Sequence, residues 1–314
     1  MAHLNRIFLL LFLTVTARAQ ESPVYAFTFN PPSGTAFVQD EKTRTVTQVA
    51  GSEAQVEEMS SSTRVKMVRE DDGFTVLVHP LSLEIRQNGQ IVSNPMVDVL
   101  QETNFTYRIN NGGELASVEG YQQFIEGLKA RVNPQLVEQV LYSYTEETMA
   151  EEERAEWQRR YGNFLGRNAT VGTRWMFREP FQLPNGTNSY HYTVVEVSGM
   201  EVLDGHNRLR LDFYYQANPD SLAIRFPDQP ELLAGLTDLP VPTFHLSGSG
   251  HRLLDPGTLL IYREASEKEI RTTVNVPRPR AMEEEGASHA GTETLSDPTQ
   301  VTIRESSSIT FRYR

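Results

Sequence analysis

Beyond His3, the histidines stand at 79, 191, 206, 245, 251 and 289, each alone in its stretch. A metal site needs several His, Cys, Asp or Glu side chains converging at ligand spacing. His245 and His251 are the nearest pair, flanking Ser247-Gly-Ser-Gly250, and two ligands without a third make a weak site; surface or cross-strand histidines are expected there. Gly248-Ser249-Gly250 lacks the outer pattern of a Gly-x-Ser-x-Gly nucleophile elbow and the helix after it, so it reads as a flexible turn. With 0 cysteines, thiol chemistry is excluded. No glycine-rich loop follows a strand and opens a helix, so phosphate has no cradle. Carboxylate pairs of the kind that cleave glycosides would come from Glu146-Glu147 and Glu151-Glu152-Glu153, whose helical pattern turns them to water. The aromatic runs Tyr190-His-Tyr192, Phe213-Tyr-Tyr215 and Phe311-Arg-Tyr313 read as core and surface residues of strands rather than a sugar-stacking platform. The expectation is a protein with no enzymatic activity and no catalytic, metal or cofactor site.

The elements around these residues are mostly strands. From 20 to 119, short runs alternate apolar and polar residues, as half-buried antiparallel strands do. Phe74, Val76 and Val78 form one face, and Leu81, Leu83 and Ile85 form the next, after Pro80 interrupts or bulges the strand. Asp72-Gly73, Asn88-Gly89 and Asn111-Gly112-Gly113 are turn signals. The period changes over 120–167, where Phe124, Leu128 and Val132, then Leu136, Val140 and Tyr144, recur every four residues. Asn133-Pro134 starts one helix, and Thr148-x-x-Glu151 reads as a capping box for another, with Trp157, Tyr161, Phe164 and Leu165 on its apolar face. Alternation returns over 168–276, clearest at Leu209, Leu211, Phe213 and Tyr215, and a terminal strand is expected over 301–314. The acidic, Gly/Ser/Thr-rich stretch 277–300 reads as a mobile loop.

Residues 1–19 have the form of a cleavable leader: a basic start, the apolar run Ile7 to Val15, and Ala17-Arg18-Ala19 before the cut. The apolar run is about half of the roughly 20 residues a membrane helix needs, so no integral membrane span is expected. Export without cysteine points to a bacterial periplasmic or secreted protein. Three Asn-x-Thr triplets, at Asn104, Asn168 and Asn185, are expected by chance in such a chain. The formal net charge of -12 disfavours nucleic acid as a partner. Central helices and short, Pro-interrupted strands argue against an outer-membrane barrel.

Asp72-Gly73-Phe74-Thr-Val76, the Asn111 to Gly120 run, the helices after it and Val171-Gly172-Thr-Arg-Trp175 together resemble an uncharacterised family of exported bacterial β-rich proteins, a domain of unknown function, over roughly residues 25 to 275. That family is similar in plan to the half-barrels that carry lipoproteins in the bacterial envelope, and the resemblance implies a hydrophobic ligand. The fold expected is therefore α+β: two antiparallel β-meanders, a duplicated half-barrel, wrapped around a central group of helices. Such a sheet would hold a hydrophobic small molecule or lipid against helix residues Phe124, Leu128, Leu136, Val140 and Tyr144, unless those residues form an ordinary core. The alternative is a structural or interaction protein that contacts an envelope protein through 277–300 or a sheet edge. A third reading is a hydrolase of unrecognised type.

Overall fold

In the computed structural model, residues 23–183, 188–217, 244–277 and 296–313 are described. Residues 1–19, expected to form a leader, and most of the 277–300 segment lie outside them. The elements, in order, are β1 (Tyr25–Ala26), β2 (Ala36–Val49), β3 (Gln55–Glu70), β4 (Gly73–Gln87), β5 (Gln90–Ile91), α1 (Pro95–Glu102), β6 (Phe105–Asn110), β7 (Leu115–Glu119), α2 (Tyr121–Arg131), α3 (Pro134–Ser143) and α4 (Glu146–Trp157). A π turn over Gln158–Gly162 follows, then β8 (Asn168–Ala169), β9 (Arg174–Gln182), β10 (Asn188–Leu203), β11 (His206–Gln216), β12 (His245–Leu254), β13 (Ile261–Pro277) and β14 (Ser296–Tyr313).

This arrangement corrects the α+β expectation. Among the described residues 58% are strand and 19% helical, so the chain is largely β. Eleven strands join in the order β7-β6-β4-β3-β2-β14-β13-β12-β11-β10-β9, every ladder antiparallel, with β5 paired to β4. The reason lies in β14, which pairs with β13 along one edge and with β2 along the other, from Tyr313↔Phe37 to Val301↔Val49. Two meanders that would otherwise each wrap the helices become a single sheet.

The helices do not form its centre. α1, α2 and α3 bury Val99, Phe124, Ile125, Leu128, Val137 and Val140 against one another in a cluster of their own. Only the end of α4 enters the main core, which gathers Trp157, Tyr161 and Phe164 with Phe27, Phe29 and the inner face of the sheet. There Phe29 packs edge-on to Phe74, Trp157 and Tyr161 with ring centroids 5.4, 5.2 and 5.5 Å away. Trp157 Nε1 donates to the Gly113 carbonyl at 2.9 Å, tying the helix end to the β6–β7 turn.

Local chemistry explains the element ends. Asn133 accepts from Leu136 N and Pro134 opens α3. The capping box, however, sits three residues before the one expected. Thr145, extended at φ -83 and ψ 164, exchanges hydrogen bonds with Thr148, and α4 starts at Glu146. Pro80 forces the expected bulge, a register shift opposite Ser62 and Thr63. The expected turn at Gly248-Ser249-Gly250 is instead the interior of β12. A Cβ on Gly248 would lie 2.3 Å from the Glu267 carbonyl oxygen and one on Gly250 2.6 Å from that of Ala265, so the missing side chains let β13 approach. By contrast, Gly89 closes the β4–β5 hairpin at φ +82 with nothing within 4 Å of a built Cβ.

These two glycines separate steric from conformational cost. Gly250→Ala is expected to lose about 2–3 kcal/mol because β12 must part from β13, whereas Gly89→Ala is expected to lose about 1 kcal/mol of backbone preference. Urea unfolding of both variants measures the difference.

Candidate functional site

Strand alternation places every second residue on the core-facing side of the sheet, and antiparallel pairing lines those residues into rows across it. One row reads Val197, Leu211, Arg252, Glu264, Ile309, Glu41. Its neighbour reads Trp175, Val195, Phe213, Gly250, Ser266, Ser307, and the next reads Phe177, Thr193, Tyr215, Gly248, Lys268, Glu305. Two residues further along β9 and β10, Glu179 pairs with His191. Apolar rows are thus interrupted by charges, and their middles hold Gly248, Gly250, Ser266 and Ser307, too small to fill the space beneath the π turn. A cavity of about 150 Å³ results.

The π turn closes that space from the other side. Its extra residue per turn re-aims the side chains that follow α4. Arg160 points into the sheet, with Nε 2.6 Å from Glu156 Oε1 and Nη1 donating to Gln39 Oε1 at 3.2 Å. From the sheet, Arg252 donates through Nε to Glu264 Oε2 at 2.9 Å and through Nη1 to the Arg160 carbonyl at 2.8 Å. Arg252 is only 3% exposed, and its guanidinium also lies 5.1 Å from the Phe213 ring centroid.

Electrostatics in this chamber are divided. Burial works to raise the Glu264 carboxyl, but Arg252 and Arg160 outweigh it and hold the group below its ordinary value. Glu179 is likewise lowered, because His191 outweighs the effect of burial. Glu41 goes the other way. Burial pushes its carboxyl up, Arg160 offsets only part of this, and Glu156 and Glu264 add to the rise. Its hydrogen-bond partner is Gln39 Nε2 at 3.4 Å.

Among the described residues, three side chains hold a buried polar atom without a hydrogen-bond partner: Thr193, His191 and, outside the lining of the chamber, Arg208 at Nε. Thr193, 2% exposed, presents an unpartnered Oγ1 and lines the chamber. Both ring nitrogens of His191 are also unpartnered; Nε2 lies 3.3 Å from Glu179 Oε2 without hydrogen-bond alignment. Unsatisfied buried groups each cost about 1–3 kcal/mol, and such groups stand where a guest or ordered water satisfies them.

A second space of about 210 Å³ adjoins the first, with Glu156 and Arg160 in the wall of both. Phe37, Val65, Met67, Val76, Val78, Tyr107, Trp157 and Tyr161 make it largely apolar. At its side Glu153, expected in water, turns inward and accepts from the Tyr107 hydroxyl at 2.8 Å. Burial pushes the Glu153 carboxyl up, and the Tyr107 hydrogen bond offsets part of the rise.

The five helix residues expected to line a ligand are not together in either space. Phe124, Leu128 and Val140 are 2%, 0% and 9% exposed within the α1–α3 cluster, while Leu136 and Tyr144 are 42% and 40% exposed. The buried face of α3 runs through Val137 and Val140 because helical neighbours lie three as well as four residues apart. His245 and His251 lie on one strand, β12, and converge on nothing; among the described residues no group of three or more His, Cys, Asp or Glu could hold a metal. The residues missed were Glu41, Glu179, His191, Thr193, Arg252 and Glu264. Their signal was a charge or hydroxyl standing at an apolar position of the alternation, as Arg252 does two residues before Leu254.

No protein-family model and no curated protein matches the chain. Among solved structures, it is similar to a protein of Bacteroides fragilis described as exported and as having a YmcC-like fold, at 10% identity. That likeness covers 92% of this chain and 99% of the other with a TM-score of 0.24. No helix among the described residues is long and apolar enough to cross a membrane.

Two outcomes follow from the charges. Arg252→Leu strands a buried carboxylate and is expected to cost about 3–5 kcal/mol, whereas Arg252→Leu with Glu264→Leu is expected to be near neutral. The wild-type contribution of Glu264 is present above its unfolded pKa and is lost as pH falls through its lowered folded value; pH-dependent urea unfolding should show this loss vanish in the double variant. Glu41 has the opposite sign. Its raised folded pKa makes ionisation destabilising above that value, so Glu41→Gln should raise Tm at neutral pH and the gain should fade in acid.

Proposed function

We propose that this chain is an exported, non-enzymatic binding protein of the bacterial envelope that holds a small guest with an apolar body in the cleft between the sheet and the α4–π turn segment. The observation that carries the reading is the pairing of an apolar space with a charged one across Glu156 and Arg160. Rings and aliphatic side chains of β2, β3, β4 and β6 would take the apolar body, at about 25 cal/mol for each Å² removed from water. The unpartnered Thr193 hydroxyl would meet its polar end. Each space is smaller than the roughly 300–1,000 Å³ typical of drug-sized sites, which favours a compact guest over a long acyl chain. Export rests on the leader-like residues 1–19, and the bacterial source on the cysteine-free composition of such a chain.

The absence of enzymatic activity is part of the same reading. Glu264 is engaged by Arg252, Glu156 by Arg160, and Glu153 by the Tyr107 hydroxyl, all interactions that hold side chains in place.

Native mass spectrometry of protein purified from a bacterial envelope, followed by solvent extraction, tests the reading. A co-purifying molecule near one per chain is expected. Thr63→Phe, on the partly exposed wall of the apolar space, should lower its occupancy, while Leu136→Ser on α3 should leave it unchanged. A clean apo mass with no shift on adding apolar compounds would overturn the binding role and direct the search to protein partners.

A further inference from the structure

We propose that the apolar space of this cleft takes an organic cation, a small alkylammonium group, held by the rings of Phe37, Tyr107, Trp157 and Tyr161 with the Glu153 carboxylate beside them. The proposal rests on the reading of the cleft as a binding site and names the chemistry of its guest. Four aromatic residues line a space of about 210 Å³, a size that admits a compact group and excludes a long chain. Aromatic ring faces carry negative potential, which attracts a cation desolvated against them.

The charges in the wall point to the same sign. The guanidinium in the wall of the apolar space, Arg160, is engaged by Glu156 and Gln39, so an anionic guest there would have to break that pairing. Carboxylates outnumber it in that wall, where Glu153 and Glu156 stand against Arg160. Glu153 accepts only a phenol hydrogen bond and makes no ion pair; Glu41, in the adjoining space, accepts only the long contact from Gln39. Burial raises both carboxyls even though Arg160 lowers each in part, and a bound ammonium would work against that rise. The same chemistry belongs to a free alkylammonium and to a trimethylammonium lipid headgroup.

Isothermal titration of the full chain with tetramethylammonium and choline tests this, with 3,3-dimethylbutanol as the uncharged shape match of choline. Saturable binding of the cations is expected, with the alcohol about tenfold or more weaker. Glu153→Gln should weaken choline about tenfold, and Tyr107→Phe, which keeps the ring, should weaken it less. Phosphatidylcholine vesicles as a further titrant separate a lipid headgroup from a free ammonium as the source. Equal binding of alcohol and choline would overturn the cation proposal and leave the apolar cleft standing. No binding of either cation, in protein whose native mass still shows a co-purified guest, would overturn it as well.

Discussion

Everything in this structure depends on β14 filling the gap between β2 and β13. A terminal strand that satisfied only one neighbour would leave a long row of unpaired backbone groups and two separate meanders. Paired on both edges, it makes one sheet, and the inward residues of that sheet fall into continuous rows. Ile309 thereby stands between Glu264 and Glu41 in a single row, although the three come from distant parts of the chain. The composition of the cleft is a consequence of that insertion.

Within the rows, the contest is between filling the interior and keeping charge there. Gly248, Gly250, Ser266 and Ser307 leave volume that larger apolar residues would occupy, and the space is used by long charged side chains from both sides. Such an arrangement is tolerable only where charges are paired, because an unpaired buried ion costs several kcal/mol. Arg252 with Glu264, and Arg160 with Glu156, meet that condition. Glu41 does not, and it shares the chamber wall with the unpartnered hydroxyl of Thr193.

In the helical segment, Phe124, Leu128 and Val140 are buried where α1 to α3 cover one another's apolar faces, the ordinary core that is the alternative to a ligand lining, while Val132 and Tyr144 fall just past the ends of α2 and α3. The helix that does matter to the cleft is α4. Its acidic exterior reads as a solvated face, and what turns Glu153, Glu156 and Arg160 inward is the packing of Trp157 on Phe29 and the π turn behind it. Neither is encoded in a spacing.

Read alone, the amino-acid sequence determined the strand-rich character, the Asn88-Gly89 turn, an irregularity at Pro80, the Asn133-Pro134 helix start and the presence of a terminal strand, though that strand starts at Ser296 within the stretch read as a loop, because each depends on the conformational preference of a few adjacent residues. It also carried a faint sign of the cleft in Arg252, a charge beside Leu253 and Leu254. Tertiary structure alone decided that the sheet is continuous, that Gly248-Ser249-Gly250 is strand and not turn, and that Glu41, Arg160, Arg252 and Glu264 share one buried space. Those outcomes rest on which strand edges pair and on how closely two backbones approach, interactions between residues far apart in the chain, whose free energy no local pattern expresses.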